Sequence, residues 1–92
     1  MNDIKFNSLE DLYNRLKPAL RSKIKELHKL DKIYIKENDI FDFLTDNKWE
    51  NSNNLTLDQM VDDILYVDND LIDEYVQKKI IRENYNNLKE RD

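Results

Sequence analysis

The chain has no glycine and a single proline among its 92 residues, and this composition constrains the fold more than any other feature. Tight turns, bulges and close backbone approaches rely on glycine, so a chain without it favours helices over turn-rich sheets. Phosphate-cradling loops and the dinucleotide fingerprint also require glycine, and both are therefore excluded. The acidic run at residues 68–70 is similar to the start of an EF-hand loop, but the sharp turn of that loop needs glycine as well.

Charged residues are distributed unevenly along the chain. Residues 37–76 contain twelve Asp or Glu and one Lys. Residues 1–36 contain nine Lys or Arg against five acids, and residues 77–92 contain five against three. Because a potential is local and is screened within about 10 Å at ordinary salt, we expect the two ends and the middle to meet different partners, or to meet each other.

Apolar residues recur at helical spacing in four segments. We therefore predict an all-α fold, a small single-domain bundle of four to five helices round one core. The predicted helices are a first over about residues 9–30, a second opening at Glu37, a third starting after Thr56, and a last from residues 68–70 to about Lys89. The single domain is expected to span residues 1–92, with residues 77–92 extending beyond the core.

Local signals refine these boundaries. Thr56 and Gln59 form the capping-box pattern that begins a helix. Pro18 lies inside the first predicted helix, where it removes a backbone donor and crowds the preceding turn, so we expect a kink, or a break that leaves two helices. Residues 33–35 and 55–57 are predicted to form at most a two-strand bridge.

Four cations stand four residues apart on the first predicted helix: Lys17, Arg21, Lys25 and Lys29. Successive members rotate by about 40° on a helix of 3.6 residues per turn, so they form one slanting stripe beside the apolar face. This basic stripe has three interpretations: a solvated face, a binding site for an anionic partner such as RNA phosphates, or a surface that lies against acids of its own fold or of a partner.

Catalytic and metal-binding patterns are weak in this sequence. Asp58 and Asp62 form an i, i+4 carboxylate pair, but no second set of ligands accompanies them. His28 is the single histidine and cannot build a zinc site alone. Asp58, Asp62 and Asp63 would repel phosphate, which argues against a recognition helix for double-stranded DNA. We expect no catalytic residue, no metal and no cofactor.

Exposed aromatic and aliphatic residues are candidates for protein contacts. Trp49 ends a predicted helix before a polar loop, which suits either a lid over the core or a contact with a protein partner. Ile81, Tyr85 and Leu88 form a second apolar stripe on the last helix that a single small core does not need. This stripe predicts a homodimer contact, and a structural or phage-derived module that dimerises through it is the alternative function.

Three short motifs follow each other along the chain: LKPALRSK at residues 16–23, Leu44 followed by Trp49, and VDDIL at residues 61–65. In this order they resemble a family of bacterial post-transcriptional regulators of the late-competence type, and the resemblance covers about residues 12–76. There are three departures. The aromatic-glycine turn of the family reads Leu30-Asp31-Lys32 here, Phe41 stands where the family often has Trp, and residues 77–92 match no pattern we know for the family.

The resemblance implies regulation of gene expression after transcription, and docking to a coiled-coil scaffold protein at the cell pole or division site. It does not imply catalysis. We therefore expect a non-enzymatic adaptor that docks a protein partner, with RNA contact on the basic stripe as a secondary function. The absence of cysteine and of any long apolar run predicts a cytoplasmic protein without a membrane span.

Overall fold

The computed structural model describes residues 9–90, and side chains as far as Tyr85. Four α-helices and one short 3₁₀ helix follow each other along the chain. They are α1 (Leu9–Lys29), α2 (Glu37–Asn47), a 3₁₀ turn (Trp49–Asn51), α3 (Leu57–Tyr66) and α4 (Asn69–Glu90). Between residues 9 and 90 no strand is formed, so the all-α prediction is confirmed, and the segments 33–35 and 55–57 do not pair.

Helix α1 supplies the central face of the core. Leu16, Leu20 and Leu27 are fully buried on it, as their spacing of four and seven residues requires. The helix continues through Pro18 without interruption, so the predicted break into two helices is wrong. Proline removes only one hydrogen bond, its ring lies on the exposed side, and the buried leucines before and after it hold both halves against the same core.

The turn after α1 is closed without glycine. The Lys32 N–H donates to the Leu27 carbonyl and the Asp31 N–H donates to the His28 carbonyl, both at 3.0 Å. This is the Schellman arrangement, which needs one residue in the left-handed region. Asp31 takes that conformation with φ 66°, which Asp tolerates better than most residues because its short side chain bonds locally. The turn therefore closes without glycine, because Asp31 takes the left-handed position.

Helices α2 and α3 cover the apolar face of α1. The predicted capping box of α3 is confirmed, because the Gln59 N–H donates to Thr56 Oγ1 and the Thr56 N–H donates to Gln59 Oε1, each at 3.1 Å. The inward residues of α2 (Ile40, Phe41 and Leu44) and of α3 (Met60 and Ile64) are buried. The two helices thus complete one continuous hydrophobic cluster with α1.

Helix α4 begins at the end of α3 and packs chiefly on α2. Asp68 caps it, since its Oδ1 accepts from the Asp70 N–H at 2.8 Å and the Leu71 N–H at 3.2 Å. Ile72 and Val76 join the core. Within residues 77–85, no side chain is fully buried.

Candidate interaction surfaces

The carboxylates of the acidic segment (residues 37–76) bind groups of the same molecule. Asp63 on α3 accepts a hydrogen bond from Trp49 Nε1 at 2.9 Å, and its other oxygen pairs with Lys48 Nζ at 2.7 Å. The indole ring also packs edge-on against Phe41, with 5.8 Å between ring centroids. One carboxylate therefore fixes both the short 3₁₀ turn and its buried aromatic residue against α3.

A second carboxylate joins α4 to the turn between α1 and α2. Asp73 accepts a hydrogen bond from the Tyr34 hydroxyl and pairs with Lys32 Nζ at 2.9 Å. The Tyr34 hydrogen bond, followed by the Lys32 hydrogen bond and charge, holds the pKa of Asp73 below its ordinary value. The hydrogen bond to Asp73 raises the pKa of Tyr34. The ionised aspartate is thus the form that the fold stabilises.

Further acids of this segment are bonded in the same manner. Lys79 of α4 lies 3.1 Å from Asp39 and 3.5 Å from Asp42, both on α2. Burial would lower the pKa of Lys79, but the hydrogen bond and charge of Asp39 outweigh it and raise the pKa. Two more aromatic hydroxyls donate to carboxylates on other elements: Tyr13 to Glu37 and Tyr75 to Asp46, each at 3.3 Å. The acidic segment is thus tied to its own fold at five or more places.

Lys23 is buried, with 2% of its surface exposed, and the sequence analysis did not single it out. Its Nζ lies 3.2 Å from Glu26 Oε2 and 3.5 Å from the carbonyl of Leu65 near the end of α3. Asn69, the first residue of α4, donates to the same Glu26 oxygen at 2.9 Å. The Asn69 hydrogen bond, and then that of Lys23, lower the pKa of Glu26. This cluster joins α1 to the junction of α3 and α4.

A sequence signal for Lys23 did exist. It stands three residues after Leu20 and four before Leu27, on the apolar side of α1 and off the basic stripe, and it ends the motif at residues 16–23. A lysine on an apolar face is retained when its ammonium group reaches polar atoms. The carbonyl of Leu65 supplies such an atom, since cations are favoured at helix C-termini.

The basic stripe lies apart from the acidic segment. Only Arg21 of its four members has a carboxylate partner among the described residues, Glu37 at 3.9 Å, and that arginine stays largely exposed. Lys25 and Lys29 are exposed and Lys17 is half-buried, and none of the three forms an ion pair within residues 9–85. Besides Arg21, the cations that pair with the acidic segment are Lys32, Lys48, Lys78 and Lys79. Within the described residues, no carboxylate neutralises Lys17, Lys25 or Lys29.

Aromatic exposure differs from the sequence-based expectation. Trp49, which we considered as a partner contact, is 7% exposed and belongs to the core, in line with its alternative role as a lid. Tyr66 at the end of α3 is 82% exposed. It borders an open groove of ≈ 460 Å³ between the ends of α2 and α3, with Phe43 and Val67 on its apolar side and Asp62 on its rim. The accessible aromatic residue on this side is thus Tyr66.

The remaining sequence candidates lie on three different helices. Ile81 and Tyr85 are exposed on α4, whereas the side chain of Leu88 lies outside the described residues. Asp58 and Asp62 are exposed, and within the described part of the chain no group of three or more metal-type side chains comes together. His28 is exposed, with Nε2 3.4 Å from the carbonyl of Ile35. The described helices include none that is both long and apolar enough to cross a membrane.

The fold and these surfaces define a small all-α protein with one cationic helix face and an acidic segment bonded within the fold. A model of the family described as post-transcriptional regulators matches residues 9–91. Since this match spans most of the chain, the protein belongs to that family, as the order of motifs predicted. No significant match was found among curated proteins or among solved structures.

Proposed function

We propose that the protein is a non-enzymatic adaptor in post-transcriptional regulation, which docks a protein partner and contacts RNA phosphates through the basic stripe. The observation that carries the proposal is the position of Lys17, Lys25 and Lys29. The chain has 20 acids against 15 Lys and Arg, yet these three lysines have no carboxylate partner in the described residues. Cations that remain solvated beside an excess of acids are available to an anionic ligand.

Protein docking is supported by a second surface of the molecule, at the end of α3. Tyr66 and the groove beside it offer an aromatic side chain, apolar lining residues, and the carboxylate of Asp62 beside the Lys48–Asp63 ion pair. Aromatic residues that stay exposed next to a concave apolar surface are typical of contacts with proteins. The resemblance implies a coiled-coil scaffold as partner, and a helix that presents an apolar anchor with basic neighbours would match this groove.

Direct RNA contact is tested by titrating labelled single strands at low and at moderate salt. We expect binding that weakens as salt rises, with a log–log slope of about −2 if three phosphates are neutralised on a single strand. Replacing Lys17, Lys25 and Lys29 by Gln should abolish the binding, whereas replacing them by Arg should preserve it because the charge is kept. An absence of binding at low salt would eliminate the RNA contact, since phosphate attraction is strongest there.

Protein docking is tested separately by a pull-down from native lysate with and without RNase. We expect a partner that survives RNase with the wild type and with the triple Gln variant, and that is lost with Tyr66→Ser. Ile33→Ser is the control, because it removes another large exposed apolar side chain that does not line the groove. A partner lost on RNase treatment would show that RNA bridges it, and would contradict direct docking.

A further inference from the structure

The outer side of α4 carries side chains at the spacing of a coiled-coil seam. The residues follow each other at intervals of three and four: Leu71, Glu74, Lys78 and Ile81, continued by Tyr85 and Leu88. We call the first four residues the α4 seam. Alternating intervals of three and four keep side chains on one line along a helix that pairs with another helix. The core contacts of α4, Ile72 and Val76, lie on its other side.

The apolar members of this line are exposed. Leu71 is 51%, Ile81 66% and Tyr85 59% exposed. Leu88 lies outside the residues whose side chains are described. Isolated exposed aliphatic residues are common on protein surfaces, but a row at helix-pairing intervals is typical of a surface that another helix covers. We therefore expect another helix to cover this line of side chains.

The charges of α4 indicate which helix that is. Its first turns carry the exposed acids Asp70 and Glu74, whereas the following turns carry the exposed cations Lys78 and Arg82. Glu74 and Lys78 are both largely exposed and are 3.4 Å apart as an i, i+4 pair. A second α4 running antiparallel would place its basic part against this acidic part, and the reverse at the other end. The helix is thus complementary in charge to an inverted copy of itself.

We propose that two copies of the chain associate through antiparallel α4 helices, with Leu71 against Ile81 of the second copy and Glu74 against Lys78 of the second copy. Both pairings have their midpoint at residue 76, so they are compatible with a single two-fold axis. That axis produces each pairing twice, which gives four contacts. The other helices lie on the far side of α4 and leave this approach open. The proposal does not depend on the proposed function.

The dimer has a limited interface and a polar centre. A few layers of side chains along one helix pair bury less than the roughly 1,200–2,000 Å² of a standard interface. We therefore expect an equilibrium between monomer and dimer that shifts over a practical range of protein concentration. The charged pair in the middle lowers affinity relative to apolar residues but fixes register and orientation.

Sedimentation velocity of the full chain over a wide concentration range tests the association. We expect the wild type to pass from monomer to dimer, and Glu74→Lys or Lys78→Glu to weaken the dimer by at least about tenfold because each places like charges in contact. An equimolar mixture of the two variants should recover the dimer. Asp11→Lys and Arg15→Glu are matched controls, since Asp11 and Arg15 form an i, i+4 pair of the same 3.4 Å length on α1, and both should dimerise as the wild type does.

A wild type that stays monomeric at the highest concentration overturns the proposal, even if α4 variants lose a partner from lysate, because the occupant is then a different protein. Dimerisation that both charge variants retain also overturns it. Circular dichroism of each variant establishes that loss of the dimer is not loss of the fold.

Orientation is tested with cysteines, of which the natural chain has none. An oxidised mixture of Leu71→Cys and Ile81→Cys chains should give a disulfide between the two variants and little between identical chains. Antiparallel helices place residue 71 beside residue 81 of the second copy, and about 15 Å from residue 71 of that copy, at 1.5 Å rise per residue. Preferential crosslinking of residue 71 to residue 71 would show parallel helices and contradict the proposal.

Discussion

The acidic segment and the basic stripe are the two charged regions of this protein, and the fold uses them in opposite ways. In the acidic segment, Asp63, Asp73 and Asp39 each bond a cation or an aromatic donor from another element. In the stripe, Lys25 and Lys29 extend into solvent without a partner among the described residues. Charge density along the sequence therefore does not indicate which charges are available to a ligand, because long-range packing decides that.

The difference has a structural cause. The aromatic donors that reach the acidic segment sit at the edge of the core, where a buried hydroxyl or indole N–H needs an acceptor. Carboxylates on α2, α3 and the start of α4 supply those acceptors. The stripe lies beside and opposite the buried face of α1, where Glu37 is the carboxylate partner found among the described residues.

Truncation of Trp49 should give the largest effect, because it removes both a core ring and the donor to Asp63. We expect Trp49→Ala to lower the free energy of unfolding by about 3–5 kcal/mol, as large buried aromatic residues do. Chemical denaturation measures this loss. Trp49→Phe, which keeps much of the volume, should lose distinctly less. A loss below 1 kcal/mol for Trp49→Ala, within the scatter of surface changes, would place the ring outside the core.

Asp63 and Asp62 allow a bonded and an exposed carboxylate to be compared within the acidic segment. Asp63→Ala should lower the free energy of unfolding by about 1–3 kcal/mol, because the buried indole N–H of Trp49 loses its acceptor. Asp62→Ala should stay within about 0.5 kcal/mol, since Asp62 is exposed on the next position of the same helix. Equal effects of the two changes would mean that the Asp63 hydrogen bond contributes nothing.

The pH dependence of the free energy of unfolding tests whether the fold stabilises the ionised form of Asp73. Its pKa is lowered in the fold, so its contribution is complete above the ordinary pKa of 3.8 and is lost as pH falls through the folded value. We expect Asp73→Asn to be less stable than the wild type at neutral pH, with the gap closing below about pH 4. Urea unfolding at several pH values measures the gap.

Neutralising the stripe should have the smallest effect on stability. Replacing Lys17, Lys25 and Lys29 by Gln should change the free energy of unfolding by less than about 0.5 kcal/mol. Replacing Lys32, Lys48 and Lys79 by Gln changes the net charge equally but removes partners of Asp73, Asp63 and Asp39, so we expect a larger loss in the same denaturation experiment. If the stripe variant is the less stable of the two, its lysines contribute to the fold and are not reserved for a ligand.

Structural features that depend on residues close together in the sequence could be predicted. The capping box at Thr56 and Gln59, the apolar spacing of α1 and the start of α2 at Glu37 all depend on contacts within one or two helical turns. The same local rules predicted a kink or a break at Pro18. The break does not occur, because burial on both sides of the proline outweighs one missing hydrogen bond.

The candidate sites were less predictable because they depend on contacts between distant positions. Tyr34 and Asp73 are 39 residues apart and Lys23 and Leu65 are 42 apart, so no local pattern joins them. The burial of Trp49 and the exposure of Tyr66 likewise follow from how α2 and α3 meet. The stripe could be predicted from its spacing. That Lys17, Lys25 and Lys29 have no carboxylate partner among the described residues could be seen only from the positions of the acids in the structure.

The accessibility of each lysine amine tests the division between bonded and open charges most directly. Brief acetylation of the native protein, followed by mass spectrometry of its peptides, gives the relative reaction rate at each lysine. We predict that Lys25 and Lys29 react fastest, that the paired Lys32, Lys48 and Lys79 react more slowly, and that the buried Lys23 reacts slowest. Protection of Lys25 and Lys29 equal to that of the paired lysines would contradict an open cationic face on α1.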